Sequence, residues 1–453
     1  MSAIYTLISN VTNWFWGLPV LIILIGGGLY LTFMIGGLQF RKFGLILKKT
    51  FGSLFDKEAQ KKRLETTGVT PLQAFISAIG CTIGTGNIVG AAAAIGMGGP
   101  GALFWMWISA LMAMAVKYGE VTLSIRYRQK VNGEYHGGAY MYIKEGLKSK
   151  TFATIMVVIM LVATTIVAGT HGSSIRGNFE LLGLPSETAA VVCGIFLLVV
   201  IFLGSRGLHK ITGVMVPCMT AFYLVCALIV VGVNIGSVPA MFVEVFKGAF
   251  SGTAAIAGFG GAALAETIRY GLARGVFSND AGLGIQALIY AESEENKDPV
   301  ECGIWAIFET FVDTIIVCSL TCFMVMTTGV WNSGAPGFEL TATAMESVLG
   351  GFGRIGCIIA MILFALSSQI GICNVVKRQA HVLTGKKWCA YGAGAVFFMV
   401  VMAACLADIE KAFIFADFGN AIVMSINIIA IILLSKELRK LTKEWCDRQI
   451  VNK

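Results

Sequence analysis

Glycines and polar side chains interrupt an apolar run near the start of the chain, and their spacing suits a ligand site. Residues 80–90 read Gly-Cys-Thr-Ile-Gly-Thr-Gly-Asn-Ile-Val-Gly within the apolar stretch 71–96, which is long enough to cross a bilayer. Each glycine weakens a helix by about 1 kcal/mol relative to alanine. Two interpretations remain open: a broken helix whose freed N–H and C=O groups bind a substrate and a cation, or a glycine-rich face for close helix packing.

A second glycine-rich stretch carries charged residues. The run 254–293 contains Arg-Gly-Val-Phe-Ser-Asn-Asp-Ala-Gly-Leu-Gly from Arg274 to Gly284. It is too long for one straight crossing, because a helix rises only about 1.5 Å per residue. We predict a helix, an unwound break and a second half-helix. The alternative is a span that ends near Gly271, followed by a cytoplasmic loop helix over 272–293.

Together the two stretches offer groups that suit a zwitterion. The N–H groups of a half-helix that starts near Ile88 would bind a carboxylate, helped by the helix dipole. Asp280 and freed carbonyls would bind an ammonium group. Arg274 is predicted either to pair with Asp280 as a structural bridge or to help close the site from the cytoplasm.

Ser367 and Ser368 lie side by side in another apolar run. Their hydroxyls, with backbone carbonyls near Thr82 and Thr85, would supply the oxygens that Na⁺ prefers. The alternative is that the serines bond back to carbonyls of their own helix, as is common in membrane spans.

Four further ionisable residues fall within predicted spans, where such groups are costly. Lys117 and Glu120 are spaced i,i+3 and are predicted to pair with each other. Glu309 and Asp313, spaced i,i+4, receive no assignment.

Composition indicates a polytopic helical membrane protein. The chain has 453 residues, of which 56% are hydrophobic and 13% charged; soluble domains carry about 25% charged residues. The net charge of +8 indicates no nucleic-acid partner, because the basic residues fall in loops between spans. The twelve cysteines are scattered without a CxxC, and the four histidines show no metal spacing, so no cofactor is expected.

Apolar run lengths predict eleven spans, and basic residues concentrate in the loops on one side of them. That bias places the N-terminus outside and the C-terminus in the cytoplasm of a cell-membrane protein in contact with lipid. Segment 41–70 is predicted to lie on the inner leaflet, and 329–351 to form an outer loop. The predicted spans are 13–35, 71–96, 101–123, 152–176, 187–204, 211–235, 254–293, 302–328, 354–376, 389–406 and 416–435.

Broken spans in matching positions of two halves are typical of an inverted-repeat transporter. The predicted division has an extra helix and basic segment over 1–70, and a first five-helix repeat over 71–235. A second five-helix repeat follows over 236–436, with a cytoplasmic tail over 437–453.

Several motifs are similar to those of the alanine-or-glycine:cation symporters, and the chain resembles that family along most of its length. The resemblance implies uptake of a small neutral amino acid with Na⁺, or sometimes H⁺. It also implies an all-α, LeuT-like inverted five-plus-five fold with one added helix. The motifs are Gly84–Gly90, Gly98–Trp107, Lys117 with Glu120, Gly137–Tyr142, Arg274–Gly284 and Asp313–Cys318.

The resemblance points to the first motif for substrate and to Ser367 and Ser368 for the cation. Three departures affect the pocket: Asp280 stands where the family usually has Glu, Ser173 where it commonly has Gln, and Ile372 where it usually has Trp. The two smaller groups, Ser173 and Ile372, predict a substrate different from, or larger than, alanine or glycine. The predicted substrate-binding residues are Gly84, Thr85, Gly86, Asn87, Ser173, Phe277, Asn279, Asp280 and Ile372.

The sequence is also compatible with functions other than Na⁺ symport. His171 beside the pocket is either a proton-linked group or structural, and H⁺-coupled symport is the first alternative. A non-transporting membrane sensor is the second. An enzyme is not expected, because HExxH and GxSxG are absent and Gly84–Gly90 lacks the βαβ context of a dinucleotide loop.

Overall fold

The fold is known from a computed structural model that describes residues 2–56, 69–131, 134–202, 205–251, 260–293, 298–406 and 409–451. It is almost entirely helical, which confirms the predicted class. One antiparallel hairpin departs from it: β1 (Gln129–Val131) pairs with β2 (Glu134–His136), Lys130 opposite Tyr135.

The first span is a nearly continuous helix that ends where Gly36 and Gly37 adopt φ of 68° and 63°. Positive φ at two successive glycines turns the chain before α4 begins. Residues 57–68 of the predicted surface segment lie outside the described residues. The elements are α1 (Ser2–Phe15), α2 (Leu18–Leu21), a π-helix (Ile22–Gly26), α3 (Gly27–Met34), α4 (Leu38–Arg41), α5 (Phe43–Lys49) and a 3₁₀ turn (Gly52–Leu54).

The second span is broken, as predicted. Helix α6 (Pro71–Thr82) begins with a capping box between Thr70 and Gln73. It ends where Ile83 takes an extended conformation, with φ −68° and ψ 98°. A π-helix (Gly86–Gly90) then leads into α7 (Ala91–Gly98), and the two halves are bent by 51°.

Long helices form the next part of the scaffold. Ser149 caps the longest of them by accepting a hydrogen bond from the Phe152 N–H. The elements are α8 (Ala102–Tyr127), α9 (Ala139–Met141), a π-helix (Tyr142–Gly146), α10 (Lys150–Leu181), α11 (Ser186–Phe202), α12 (Ser205–Val233), a 3₁₀ turn (Ile235–Ser237) and α13 (Val238–Ser251).

The described part of the seventh predicted span, 260–293, is a helix, a break and a short half-helix, whereas 254–259 lie outside the described residues. Helix α14 (Gly260–Asn279) runs without interruption through Gly271, so the alternative in which the span ends there is wrong. The chain then unwinds, with positive φ at Asp280, Gly282 and Gly284, before α15 (Ile285–Tyr290) begins.

The predicted outer loop 329–351 is wrong in part, because residues 337–349 are helical. This helix joins the next span across a kink at Gly350, where φ is 61°. Leu340 and Met345 are buried and form its apolar face. The glycines and the proline nearby favour a loop, so the sequence pattern does not indicate this helix. The elements are α16 (Pro299–Thr310), a π-helix (Phe311–Cys318), α17 (Ser319–Thr327), a 3₁₀ turn (Val330–Asn332), α18 (Gly337–Thr384), α19 (Lys387–Ala404), α20 (Ile409–Leu433) and α21 (Ser435–Val451).

The protein is a multi-pass membrane protein. Within the described ranges, eight helices are long and apolar enough to cross a bilayer, or nine with the bent pair 72–98. Helix α11 is a shorter apolar helix, and the broken pair α14–α15 accounts for the remaining predicted span. The number eleven stays a prediction.

Candidate functional site

The two broken helices meet at Gly86. A Cβ at this position would lie 2.8 Å from Ser278 Cα and 3.0 Å from the Phe277 ring. Real Cβ atoms do not approach backbone that closely, so only glycine allows this contact. The start of the first half-helix therefore packs directly against the end of α14.

Asn87 stabilises the unwound conformation of the first break. Its Oδ1 accepts a hydrogen bond of 2.9 Å from the Gly84 N–H, and its Nδ2 donates to the Asp313 carboxylate at 2.7 Å. The side chain is fully buried. Because both ends of the amide are engaged, Asn87 fixes the unwound turn to a third helix.

Asp313 joins the two breaks, a role that the sequence did not reveal. Besides Asn87, its carboxylate accepts hydrogen bonds from Ser278 Oγ at 2.9 Å and Thr314 Oγ1 at 2.8 Å. Asn279 Nδ2 donates to Thr314 Oγ1 at 3.2 Å. Asp313 lies in the π-helix of span eight, and π-bulges often mark functional sites. An acidic residue within an apolar run was the available signal.

Two scaffold helices contact the unwound turn at Gly84. A Cβ here would clash with Ser368 Oγ from α18 and lie 3.4 Å from His171 Cε1 on α10. The Ser368 hydroxyl is fully buried and has no hydrogen-bond partner among the described residues. The Ser367 hydroxyl instead donates to the Phe364 carbonyl at 2.9 Å. Ser368 is thus the serine with a free oxygen at the break.

The donor set at this turn fits a hard cation better than a transition metal. No group of three or more His, Cys, Asp or Glu side chains in the described part of the chain is placed to hold a metal ion. Ser368 Oγ is an oxygen donor beside an unwound turn, and its pairing with carbonyls near Thr82 and Thr85 in a Na⁺ site stays a prediction.

At the second break, backbone groups are satisfied by residues from outside it. The Gly284 N–H donates to Glu120 at 2.8 Å, and Asn427 Nδ2 donates to the Gly282 carbonyl at 2.9 Å. Asp280 is buried with φ 56°, and its carboxylate accepts a bond of 3.3 Å from Gln286. A non-glycine residue at positive φ is strained, and such strain persists where the surroundings enforce it.

The predicted pair of Lys117 with Glu120 is wrong. Lys117 Nζ lies 2.8 Å from Glu309, and both side chains are fully buried. Thr82 Oγ1 at 2.9 Å and the Tyr290 hydroxyl at 3.0 Å donate to the same carboxylate. Spacing placed Lys117 and Glu120 one turn apart on α8, but each faces a different neighbouring helix. The ion pair joins the end of α6 and the half-helix α15 to the scaffold.

The predicted bridge between Arg274 and Asp280 is also wrong. Arg274 pairs with Asp417 on α20 and stacks over the Phe413 ring at 4.3 Å. Asp280 lies beyond the end of α14, where the unwound chain turns away. Arg274, Asp417 and Phe413 line a cavity of about 870 Å³ that is partly open to the surface.

Four of the residues predicted to bind substrate have different surroundings. Phe277 stacks edge-on against Phe413, with ring centroids 5.1 Å apart. The Thr85 hydroxyl lies 3.0 Å from His171 Nδ1. Ser173 lines the cavity, and its hydroxyl donates to the Ala404 carbonyl at 2.7 Å. Ile372 is buried. Their roles in substrate binding stay predictions.

Ion-paired and hydrogen-bonded residues lie at the opposite end of the broken helices. Glu292, just beyond α15, pairs with Arg378 of α18, and Arg378 also donates to the Tyr135 carbonyl of the hairpin at 3.0 Å. Arg128 donates to the Ala291 carbonyl at 3.1 Å. The crossing of the broken helices therefore has a cavity toward one end and packed, ion-paired residues toward the other.

Comparisons with known proteins agree with this geometry. The model of the sodium:alanine symporter family matches residues 1–453. The transporter YflA of Bacillus subtilis is 36% identical over 98% of this chain and 94% of its own. The sodium/alanine symporter AgcS of Methanococcus maripaludis is 31% identical over 97% of each chain. The structure of MhsT in complex with L-phenylalanine superposes with a TM-score of 0.59 at 13% identity, covering 82% of this chain and 97% of that one.

Proposed function

Because the chain belongs to the sodium:alanine symporter family, an amino-acid:cation symporter family whose members are transporters and not enzymes, we propose that it takes up a small neutral amino acid with Na⁺ by alternating access. The observation that carries this proposal is the contact of two broken helices at Gly86, beside the unpartnered hydroxyl of Ser368.

The amino acid binds against both breaks. Its carboxylate faces the first-turn N–H groups at Thr85 and Gly86, which lack partners within their own half-helix and carry the positive end of its dipole. Its ammonium group faces freed carbonyls and Asp280. Phe277, Asn279 and Ile372 form walls of the same pocket, and Asn87 holds the turn in shape.

Na⁺ binds next to the substrate, between the first break and α18. Replacing Ser368 with alanine removes an oxygen ligand but leaves the fold intact, because that hydroxyl makes no hydrogen bond to a described residue. We expect the Na⁺ concentration for half-maximal uptake to rise about tenfold, equivalent to ~1.4 kcal/mol. Uptake measured against Na⁺ concentration tests this prediction.

Ser425→Ala is the matched control, because the Ser425 hydroxyl, unlike that of Ser368, is bonded to a carbonyl of its own helix, that of Ala421. We expect it to leave the Na⁺ dependence within about twofold, since the hydrogen bond lost is worth only about 1 kcal/mol to the fold. An unchanged Na⁺ dependence in Ser368→Ala would remove Ser368 from the cation site.

Alternating access requires the site to open in turn to each side of the membrane. The cavity at Arg274 and Asp417 is the outer entrance, and the Glu292–Arg378 pair closes the cytoplasmic side. This orientation has the N-terminus outside, in the cell membrane, as the distribution of basic residues predicts. The repeats 71–235 and 236–436 would then exchange roles around the site.

Proteoliposomes with an imposed ion gradient test the function. We expect uptake of a radiolabelled neutral amino acid when Na⁺ is outside, and its loss when K⁺ or choline replaces Na⁺ at fixed pH. Uptake that follows a pH gradient without Na⁺ would support H⁺ coupling instead. Binding without uptake under either gradient would support a sensor.

A further inference from the structure

His171 places a polar edge at the first break, next to the candidate pocket. Its Nδ1 lies 3.0 Å from the Thr85 hydroxyl, and its Cε1 is the ring atom nearest to a Cβ built at Gly84. Cε1 is bonded to both ring nitrogens, so the edge that carries Nδ1 and Nε2 faces the unwound turn.

Of the two ring nitrogens of His171, Nε2 is the one without a hydrogen-bond partner among the described residues. The side chain is only 5% exposed, and Nε2 makes no hydrogen bond to a described residue. A nitrogen without a partner on a side chain this deeply buried is positioned to bond to a ligand at the turn, because polar groups inside proteins are normally hydrogen-bonded. Ser368 Oγ, the other unpartnered atom at Gly84, lies on α18, whereas His171 lies on α10.

The surroundings of the imidazole determine what it can recognise. The Phe277 ring lies 6.4 Å from it, centroid to centroid, and supplies an apolar wall. Nδ1 is engaged by Thr85, and in a neutral imidazole one ring nitrogen donates and the other accepts. Nε2 is therefore a donor in one tautomer and an acceptor in the other. A hydroxyl or carboxamide can satisfy both possibilities, whereas a methyl group satisfies neither and a buried carboxylate would need a counter-charge.

We infer that His171 is a specificity-determining residue of the substrate pocket, and that it selects neutral amino acids with a hydroxyl or carboxamide side chain over apolar ones. This inference rests on the proposed function. It differs from the prediction for Ser173, two residues along α10, whose hydroxyl is already bonded to α19.

Pairs of amino acids with the same shape test the selectivity of the unaltered protein. Serine is compared with 2-aminobutyrate, and threonine with valine, by competition for binding to purified protein in Na⁺. We expect the hydroxyl member of at least one pair to bind about tenfold more tightly, because the other leaves Nε2 unpaired. Equal or tighter binding of the apolar member in both pairs would overturn the inference without any variant.

Variants then assign the selectivity to the imidazole. His171→Phe removes both nitrogens, and we expect the preference within the pair to fall to about twofold or less. His171→Gln keeps a donor and an acceptor and should retain part of the preference. His381→Phe, at the far end of α18, is the control and should leave the preference unchanged. If His171→Phe does not fold, the wild-type pairs and His171→Gln decide.

Failure of this inference can be told apart from failure of the proposed function. Na⁺-dependent binding with no preference in the wild-type protein, or a preference that His171→Phe leaves intact, overturns the role of His171 alone. Absence of Na⁺-dependent binding for all four amino acids overturns both.

Discussion

Gly86→Ala is expected to lower the initial rate of amino acid uptake by about 100-fold. The added methyl group would lie 2.8 Å from Ser278 Cα and 3.2 Å from the Phe277 carbonyl oxygen, both of which are backbone atoms that cannot rotate away. The two broken helices must therefore separate, and a misplacement of about 1 Å at a binding site is enough for a loss of this size. Initial rates in proteoliposomes, normalised to the amount of folded protein, measure the effect.

Gly90→Ala is the matched control in the same half-helix. A Cβ there would meet its nearest atoms at 3.6 Å and 3.7 Å, which is ordinary van der Waals contact. We expect uptake to stay within about threefold of the wild type, since alanine favours helix by about 1 kcal/mol over glycine. Similar uptake by the two variants would show that the close approach at Gly86 is not needed for transport.

Lys117→Met is expected to lower the free energy of unfolding by about 3–5 kcal/mol, because it leaves the Glu309 carboxylate buried without its cation. Both side chains are 0% exposed, so water cannot compensate for the loss. The same carboxylate receives Thr82 and Tyr290, and the damage should extend to the ends of both broken helices. Reversible denaturation in mixed micelles measures the change.

A second substitution separates the lost charge from the lost packing. In Lys117→Met with Glu309→Gln, the amide carries no charge, its oxygen accepts from one of the two hydroxyls of Thr82 and Tyr290, and its NH2 group donates to the oxygen of the other, so most of the stability should return. Arg354→Met is the control, because the Arg354–Glu346 pair is 29% and 41% exposed and is worth at most about 1 kcal/mol. A double variant as unstable as Lys117→Met would contradict the charge argument.

The breaks could be predicted from the sequence because they are local. Glycines at 84 and 86, and the Asp-Ala-Gly-Leu-Gly run from Asp280, weaken the helix at the positions where the chain unwinds. The sequence does not predict the helix over 337–349, because turn-forming glycines and a proline directly precede its apolar residues and favour a loop.

The partners of the buried charges could not be predicted, because they depend on which helices are neighbours. Lys117 and Glu120 share a turn of one helix, yet Lys117 binds Glu309 on α16 and Glu120 binds the second break. Likewise Arg274 reaches Asp417, which is distant in sequence. Asp313 shows the same limit: its cost in an apolar run indicates a role, but only the fold brings Asn87 and Ser278 to it.

The central claim is that one site at the crossing of the broken helices takes an amino acid and Na⁺ together. Thermal unfolding of the purified protein, with a panel of neutral amino acids in Na⁺ or in K⁺ at equal ionic strength, tests it most directly. The account predicts that at least one amino acid raises the Tm in Na⁺ and has little or no effect in K⁺, because each ligand completes the other's site. An equal rise in both salts, or no rise with any neutral amino acid, would contradict it.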